Sequence, residues 1–220
     1  PAPLQQDTCF TLHLDGINYK ANIWLNGKKI AGADQVTGMF RRFEFPVTDH
    51  LRFNEKNVLA IEIIPPGLLP EKHVNTKQLE ATTGWDDHNP QPPDMNMGIW
   101  QPVYLKTQGP VSLRHPYVDS DLSLPGMESA RLTALAWLKN NTNQPQTCLF
   151  SGIVEGRQVS QEVTLAPGEE KEAVLAPEQH PELILQSPRV WWPHPAGEQP
   201  LYYARFSVSV NGRESDSATL

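Results

Sequence analysis

The sequence predicts an all-β protein on the basis of three observations. Short apolar segments alternate with a period of two residues, as at Phe10, Leu12 and Leu14, which places alternate side chains on one face of a strand. Turn-forming pairs such as Asn26-Gly27 separate these segments. No convincing amphipathic helix interrupts them. Short strands at such spacing are typical of β-sandwiches.

The first half of the chain predicts about six strands. The first should be half buried, and Asn26-Gly27 favours a type I′ hairpin between the second and third. The fifth is apolar enough to be covered on one or both faces. In order, we expect these strands at residues 8–14, 19–25, 28–30, 43–47, 57–64 and 99–106.

The composition changes around Gln108-Gly109-Pro110, so we expect domains at residues 1–108 and 109–220. The second half resembles an immunoglobulin-like sandwich, although it lacks the Cys…Trp…Cys pattern of antibody domains. Trp137 is predicted to lie in its core, and Trp191 and Trp192 to pack a corner or a domain interface. Strands are expected at residues 130–139, 146–154, 159–165, 172–175 and 201–210.

A long polar segment separates the last two strands predicted in the first half. Its end, residues 84–100, is too rich in proline for a helix interior or a central strand. Loops this long are functional or disordered, and two Trp and two Met favour an ordered one. An apolar ring beside carboxylates and amides suits a sugar, but a surface loop whose Trp plugs the core has the same composition. The candidate substrate-binding residues are Trp85, Asp86, Asp87, His88, Asp94 and Asn96.

Composition argues against several other functions. The net charge of −7 argues against nucleic-acid binding, and no apolar run is long enough to cross a membrane. Cys9 and Cys148 match no metal spacing and are expected to be buried thiols. The scattered His residues predict no metal site, and no cofactor is predicted. Asn140 heads an Asn-Asn-Thr glycosylation pattern, which also occurs often by chance.

Four collinear stretches resemble family 2 glycoside hydrolases. They are similar to the branch of exo-β-D-glucosaminidases and mannosylglycoprotein endo-β-mannosidases, and they span nearly the whole chain. The stretches are the run from Asp15 to Lys28, the run from Asn57 to Ile61, the segment from Gly84 to Leu105, and Pro188-Arg189-Val190-Trp191-Trp192-Pro193 with Gly197, Gln199, Pro200, Leu201 and Tyr202.

The resemblance implies a jelly-roll-like sugar-binding sandwich that lacks its upstream strands, followed by an immunoglobulin-like β-sandwich. In such enzymes two Glu on a (β/α)₈ barrel cleave the bond with retention. A barrel takes roughly 250 residues, so none fits here and no catalytic residue is assigned. We expect a non-catalytic fragment of a β-glucosaminide or β-mannoside hydrolase. Its partners would be a β-glycoside and the barrel of its parent chain, in a periplasmic or secreted protein.

The resemblance also assigns roles within the loop. The carboxylate that contacts the substrate in the glucosaminidase pattern corresponds to Asp87, and the one in the β-mannosidase pattern corresponds to Asp86. His88 stands where the family has a second Trp, so one stacking contact is in doubt. The alternatives are a self-sufficient carbohydrate-binding module and a purely structural pair of β-sandwiches.

Overall fold

The computed structural model describes residues 8–64 and 98–220, which form antiparallel strands with two short 3₁₀ segments, Thr48–His50 and Pro181–Leu183. The all-β prediction is confirmed. The described chain divides into two compact units, one of Cys9–Thr107 and one containing Gln108–Leu220. No helix among the described residues is long and apolar enough to cross a membrane.

The first unit contains three groups of paired strands, in the orders β5-β1-β8, β2-β7 and β4-β3-β6. Asn26 and Gly27 both have positive φ (54° and 81°), as the predicted type I′ hairpin turn requires. The strands are β1 (Cys9–Leu14), β2 (Ile17–Asn18), β3 (Lys20–Leu25), β4 (Lys28–Ala31), β5 (Phe43–Pro46), β6 (Leu59–Ile64), β7 (Gly98–Ile99) and β8 (Val103–Gln108).

Two strands of the first unit differ from expectation. β1 is buried on both faces, not half buried, because the ring of Tyr104 stacks on His13 with centroids 4.7 Å apart. The predicted strand 99–106 is broken between β7 and β8: the backbone N–H of Trp100 still donates to the carbonyl oxygen of Gly16 (3.2 Å), but residues 100–102 belong to neither strand. Pro102 then has no N–H to offer a ladder.

The second unit packs two sheets around one apolar core. One sheet has the order β13-β10-β14 with β9 also paired to β10, and the other has the order β12-β11-β15-β16. The strands are β9 (Val111–Leu122), β10 (Ser129–Asn140), β11 (Gln146–Val154), β12 (Arg157–Leu165), β13 (Glu170–Leu175), β14 (Ile184–Gln186), β15 (Ala204–Val210) and β16 (Arg213–Thr219).

The prediction that Trp137 lies in the core is wrong. Side chains alternate along β10, so Ala136 and Leu138 point inward while Trp137 lies on the outer face and is 39% exposed. Phe150 and Phe206 fill the core instead, with stacked rings 6.0 Å apart.

Candidate functional site

The six candidate substrate-binding residues lie outside the described residues, but the strands that flank their segment are described. β6 ends at Ile64, opposite Lys20, and β7 begins at Gly98, opposite Asn18. Asn18 and Lys20 are separated by Tyr19 alone, which lies in a bend between β2 and β3, so at most about 7 Å separates them. The residues on either side of segment 65–97, Ile64 and Gly98, are therefore both paired close to the junction of β2 and β3.

Trp100 is fixed beside this junction by two hydrogen bonds. Its backbone N–H donates to Gly16 as described, and its indole N–H donates to the carbonyl oxygen of Met39 (3.1 Å). The indole lies so close to Gly16 that a Cβ there would sit 2.5 Å from Nε1 of Trp100. Only glycine admits this approach, so the Asp15-Gly16 turn is required for the position of the ring.

The ring of Trp100 forms an exposed aromatic surface together with Phe40. The two rings are 5.6 Å apart and nearly perpendicular (83°), a favourable edge-to-face arrangement. Trp100 is 44% exposed and Phe40 55% exposed. Because the polar edge of Trp100 is already bonded to Met39, the ring presents an apolar face. Such a face suits the C–H side of a sugar ring.

A second cluster in the first unit joins β1, β5 and β8. His13 stacks on Tyr104, and its Nδ1 lies 3.8 Å from the Glu44 carboxylate. Burial raises the pKa of the Tyr104 hydroxyl, with smaller contributions from the nearby carboxylates of Asp15 and Glu44. Tyr104 is thus a neutral hydrogen-bonding group at neutral pH. Sequence analysis missed this cluster because its members are far apart along the chain.

Three other residues that sequence analysis singled out are Asn140, Cys9 and Cys148. Asn140 is fully buried, and its amide donates to the carbonyl oxygens of Gln144 (2.8 Å) and Ala166 (2.9 Å), so its role is structural. Cys9 and Cys148 are thiols and not a disulfide pair; Cys148 is buried and Cys9 is partly exposed. Among the described residues, no group of three or more His, Cys, Asp or Glu could hold a metal ion.

Two family models match in series along the chain. Residues 1–101 match the model described as "Glycosyl hydrolase 2 galactose-binding domain-like", and residues 111–220 match "Glycosyl hydrolases family 2". The chain belongs to glycoside hydrolase family 2. The resemblance identified from the four sequence stretches is therefore confirmed.

Relatives of this family 2 chain include an exo-β-D-glucosaminidase of Streptomyces avermitilis, 36% identical over 213 residues. That alignment covers 96% of this chain and 22% of the relative. A mannosylglycoprotein endo-β-mannosidase of Lilium longiflorum is 30% identical, with 97% of this chain and 24% of the relative covered. The chain thus spans about a quarter or less of the length of these relatives.

Solved structures agree with the family assignment. The exo-chitosanase CsxA of Amycolatopsis orientalis, in complex with PNP-β-D-glucosamine, superposes with a TM-score of 0.81 at 30% identity and covers 99% of this chain and 24% of its own. A β-glucuronidase of Bacteroides uniformis superposes with a TM-score of 0.69 at 18% identity, covering 98% of this chain and 24% of its own, and shares the fold.

Proposed function

We propose that this chain supplies the sugar-binding domain (residues 1–108) and the immunoglobulin-like domain (residues 109–220) of a larger retaining β-glycoside hydrolase. The observation that carries this proposal is that the two family models match in series along the chain. The chain also aligns with only 22% of the length of the exo-β-D-glucosaminidase of Streptomyces avermitilis. The chain would contact the substrate without cleaving it.

The substrate class follows from the relatives. Five exo-β-D-glucosaminidases are 30–36% identical to this chain, and an endo-β-mannosidase is 30% identical. A β-glucosaminide is accordingly the first substrate to test and a β-mannoside the second.

Bond cleavage belongs to another part of the proposed parent. Retention requires a carboxylic acid that protonates the leaving oxygen and a carboxylate nucleophile about 5 to 5.5 Å away. In this proposal both are Glu residues of a (β/α)₈ barrel that follows the immunoglobulin-like domain. The isolated chain, residues 1–220, is expected to be inactive.

The contribution of this chain to the substrate site is the segment that contains Trp85, Asp86, Asp87, His88, Asp94 and Asn96. Trp85 would stack on a sugar ring, and Asp87 would accept hydrogen bonds from hydroxyls or pair with the ammonium of a glucosamine. Support comes from the attachment of both ends of segment 65–97 at Asn18 and Lys20, beside the exposed ring of Trp100.

The test is a kinetic comparison in the full-length protein. Loss of one charge-assisted hydrogen bond costs about 1.5–3 kcal/mol, so Asp87→Ala should lower kcat/KM for a β-glucosaminide roughly 10- to 100-fold. Asp121→Ala is the matched control, because Asp121 is an exposed strand residue of the second unit. Unchanged kinetics in Asp87→Ala would remove Asp87 from the site. The proposed function is refuted if the wild-type protein hydrolyses neither a β-glucosaminide nor a β-mannoside.

A further inference from the structure

The outer face of the sheet formed by β9, β10 and β13 carries an exposed apolar patch. Directly paired residues of antiparallel strands lie on one face, and Leu135 of β10 is paired with Tyr117 of β9 and with Val174 of β13. Trp137 follows two positions along β10, on the same face. Tyr117 is 54% exposed, Trp137 39% and Val174 38%. A contiguous patch of this kind is typical of an interaction site, whereas single exposed apolar residues are ordinary.

An ion pair between Arg114 and Glu170 bounds the patch at its Trp137 end. Arg114 of β9 is paired with Trp137, and Glu170 of β13 is paired with Lys139. One guanidinium nitrogen of Arg114 lies 3.2 and 3.3 Å from the two carboxylate oxygens of Glu170. Since the two residues come from the strands on either side of β10, their side chains meet above β10, in the stretch from Trp137 to Lys139. The charge of Glu170 is thereby compensated within the protein.

Two other carboxylates on this face, those of Glu172 and Asp119, form no ion pair within residues 8–64 and 98–220. Glu172 is paired directly with Trp137, which places their Cβ atoms about 4.5–5.5 Å apart. Asp119 is paired with Thr133, four positions and so roughly 13 Å along β10 from Trp137. Its Oδ1 accepts a hydrogen bond from the backbone N–H of Ser120 (3.0 Å). The apolar patch therefore has an uncompensated carboxylate at each end.

We propose that this face binds a cationic polymer of β-linked glucosamine such as chitosan, as a second sugar-binding surface of the chain besides segment 65–97. The inference rests on the proposed function, which supplies the β-glucosaminide. The sugar rings stack their C–H faces on Trp137 and Tyr117, and their ammonium groups pair with Glu172 and Asp119. An apolar protein partner would instead bury both carboxylates without a counter-charge, which is costly. The net charge of −7 also attracts a cationic polymer.

Binding at this face should favour a polymeric substrate over a monomeric one. A polymer held at Trp137 by some of its sugar units presents its chain end to the enzyme at a raised effective concentration. A single glucosaminide gains nothing from the second surface, because it cannot occupy two places at once. The comparison of the two substrates therefore isolates the contribution of this face.

Hydroxyl-radical footprinting of the full-length protein, read by mass spectrometry with and without chitosan, locates the polymer. Bound chitosan should cover Trp137 and slow its oxidation roughly threefold or more. Leu149 is the control, because it is 45% exposed on the outer face of the other sheet and should keep its rate. A soluble cellulose has similar ring faces without ammonium groups, so it should protect Trp137 less than chitosan does.

Substitutions in the full-length protein provide the second measurement. Trp137→Thr should lower kcat/KM for chitosan roughly 3- to 10-fold, and kcat/KM for p-nitrophenyl β-D-glucosaminide should keep its wild-type value. Glu172→Gln should lower the chitosan value about 2- to 5-fold at low salt and less at high salt, because salt screens an exposed charge pair. Leu149→Thr and Glu162→Gln are the matched controls: the two residues are paired on the outer face of the other sheet, and neither change should affect either substrate.

The outcomes separate the chitosan-binding face from the proposed function. A full-length protein that hydrolyses both substrates while chitosan leaves Trp137 unprotected would overturn this face alone. Slow oxidation of Trp137 already without chitosan would also overturn it, because a second copy or another part of the protein would then cover the patch. Equal losses on both substrates in Trp137→Thr would count against it as well. A protein that hydrolyses neither a β-glucosaminide nor a β-mannoside refutes the proposed function, whatever the footprint shows.

Discussion

Asn140 offers a quantitative test of how the second unit is held together. Its amide donates to Gln144 (2.8 Å) and Ala166 (2.9 Å), and its Oδ1 accepts from the backbone N–H (3.0 Å) and hydroxyl (2.8 Å) of Thr142. The side chain thereby ties the turn after β10 to the turn after β12. The Asn140 side chain is 0% exposed, so water does not compete for these bonds in the folded domain.

Asn140→Ala removes these four bonds and a longer one to the carbonyl oxygen of Leu165 (3.4 Å), and leaves three carbonyl groups without this donor. At about 1 kcal/mol per hydrogen bond, the free energy of unfolding should fall by about 3–4 kcal/mol. That is a large share of the 5–15 kcal/mol typical of a domain. Urea-induced unfolding of the isolated chain measures the loss.

The neighbouring residue supplies the control. The backbone N–H of Asn141 donates to the carbonyl oxygen of Pro110 (2.8 Å), a bond that alanine keeps. Its side-chain Nδ2 is buried without a hydrogen-bond partner in the described part of the chain. Asn141→Ala should therefore change stability by no more than about 0.5 kcal/mol. The reasoning is refuted if the two substitutions destabilise equally, or if Asn140→Ala costs less than about 1 kcal/mol.

Three further predictions follow from other contacts. Gly16→Ala should displace the Trp100 ring and destabilise the first unit by about 1–3 kcal/mol, measured by urea unfolding, and an unchanged Trp100 environment in NMR spectra would contradict this. Ser215→Ala should cost about 1–2 kcal/mol in the same assay, because its buried hydroxyl donates to and accepts from the backbone of Val111 (2.6 and 2.9 Å); a neutral effect would contradict this. Burial, with a smaller contribution from Glu162, raises the pKa of Cys148 from 9.0 to about 11, so stability should fall between those pH values as the unfolded thiol ionises first. Cys148→Ala should lack that fall in a pH series of unfolding curves, and an identical pH dependence in both proteins would refute it.

Sequence analysis located strands most accurately where apolar residues alternate and turn residues stand at the ends. β11, from Gln146 to Val154, has its predicted bounds, and Asn26-Gly27 forms the predicted hairpin turn. Local patterning suffices there because inward apolar residues and turn residues point to the same structure.

In the second unit three strands, β9, β14 and β16, were missed because their sequences carry little pattern. β9 contains Pro116 beside His115, which has a φ of 48°, and its pairing with β10 shifts register opposite Ala136. Proline is tolerated at such a bulge on an edge strand, but it reads as a strand breaker in the sequence. β16 is mostly polar and is held through Ser215 and Asp216, whose hydroxyl and carboxylate bond to the backbone of β9.

Local sequence patterns do not predict the functional surfaces, because these surfaces join residues that are far apart along the chain. The contact of Trp100 with Met39 and Phe40 joins residues about sixty positions apart. A cavity of about 450 Å³ in the second unit is lined from five strands, the segment between β14 and β15, and Leu220. No local period encodes such assemblies. The loop residues from Trp85 to Asn96 were assigned through motif resemblance, and their roles stay predictions.

The most direct test of the account is hydrolysis of p-nitrophenyl β-D-glucosaminide by the full-length protein and by the isolated chain, with the anomer of the first product read by NMR. The account predicts release of the β-anomer by the full-length protein and no turnover by a folded isolated chain. Turnover by the isolated chain, or release of the α-anomer, would contradict it.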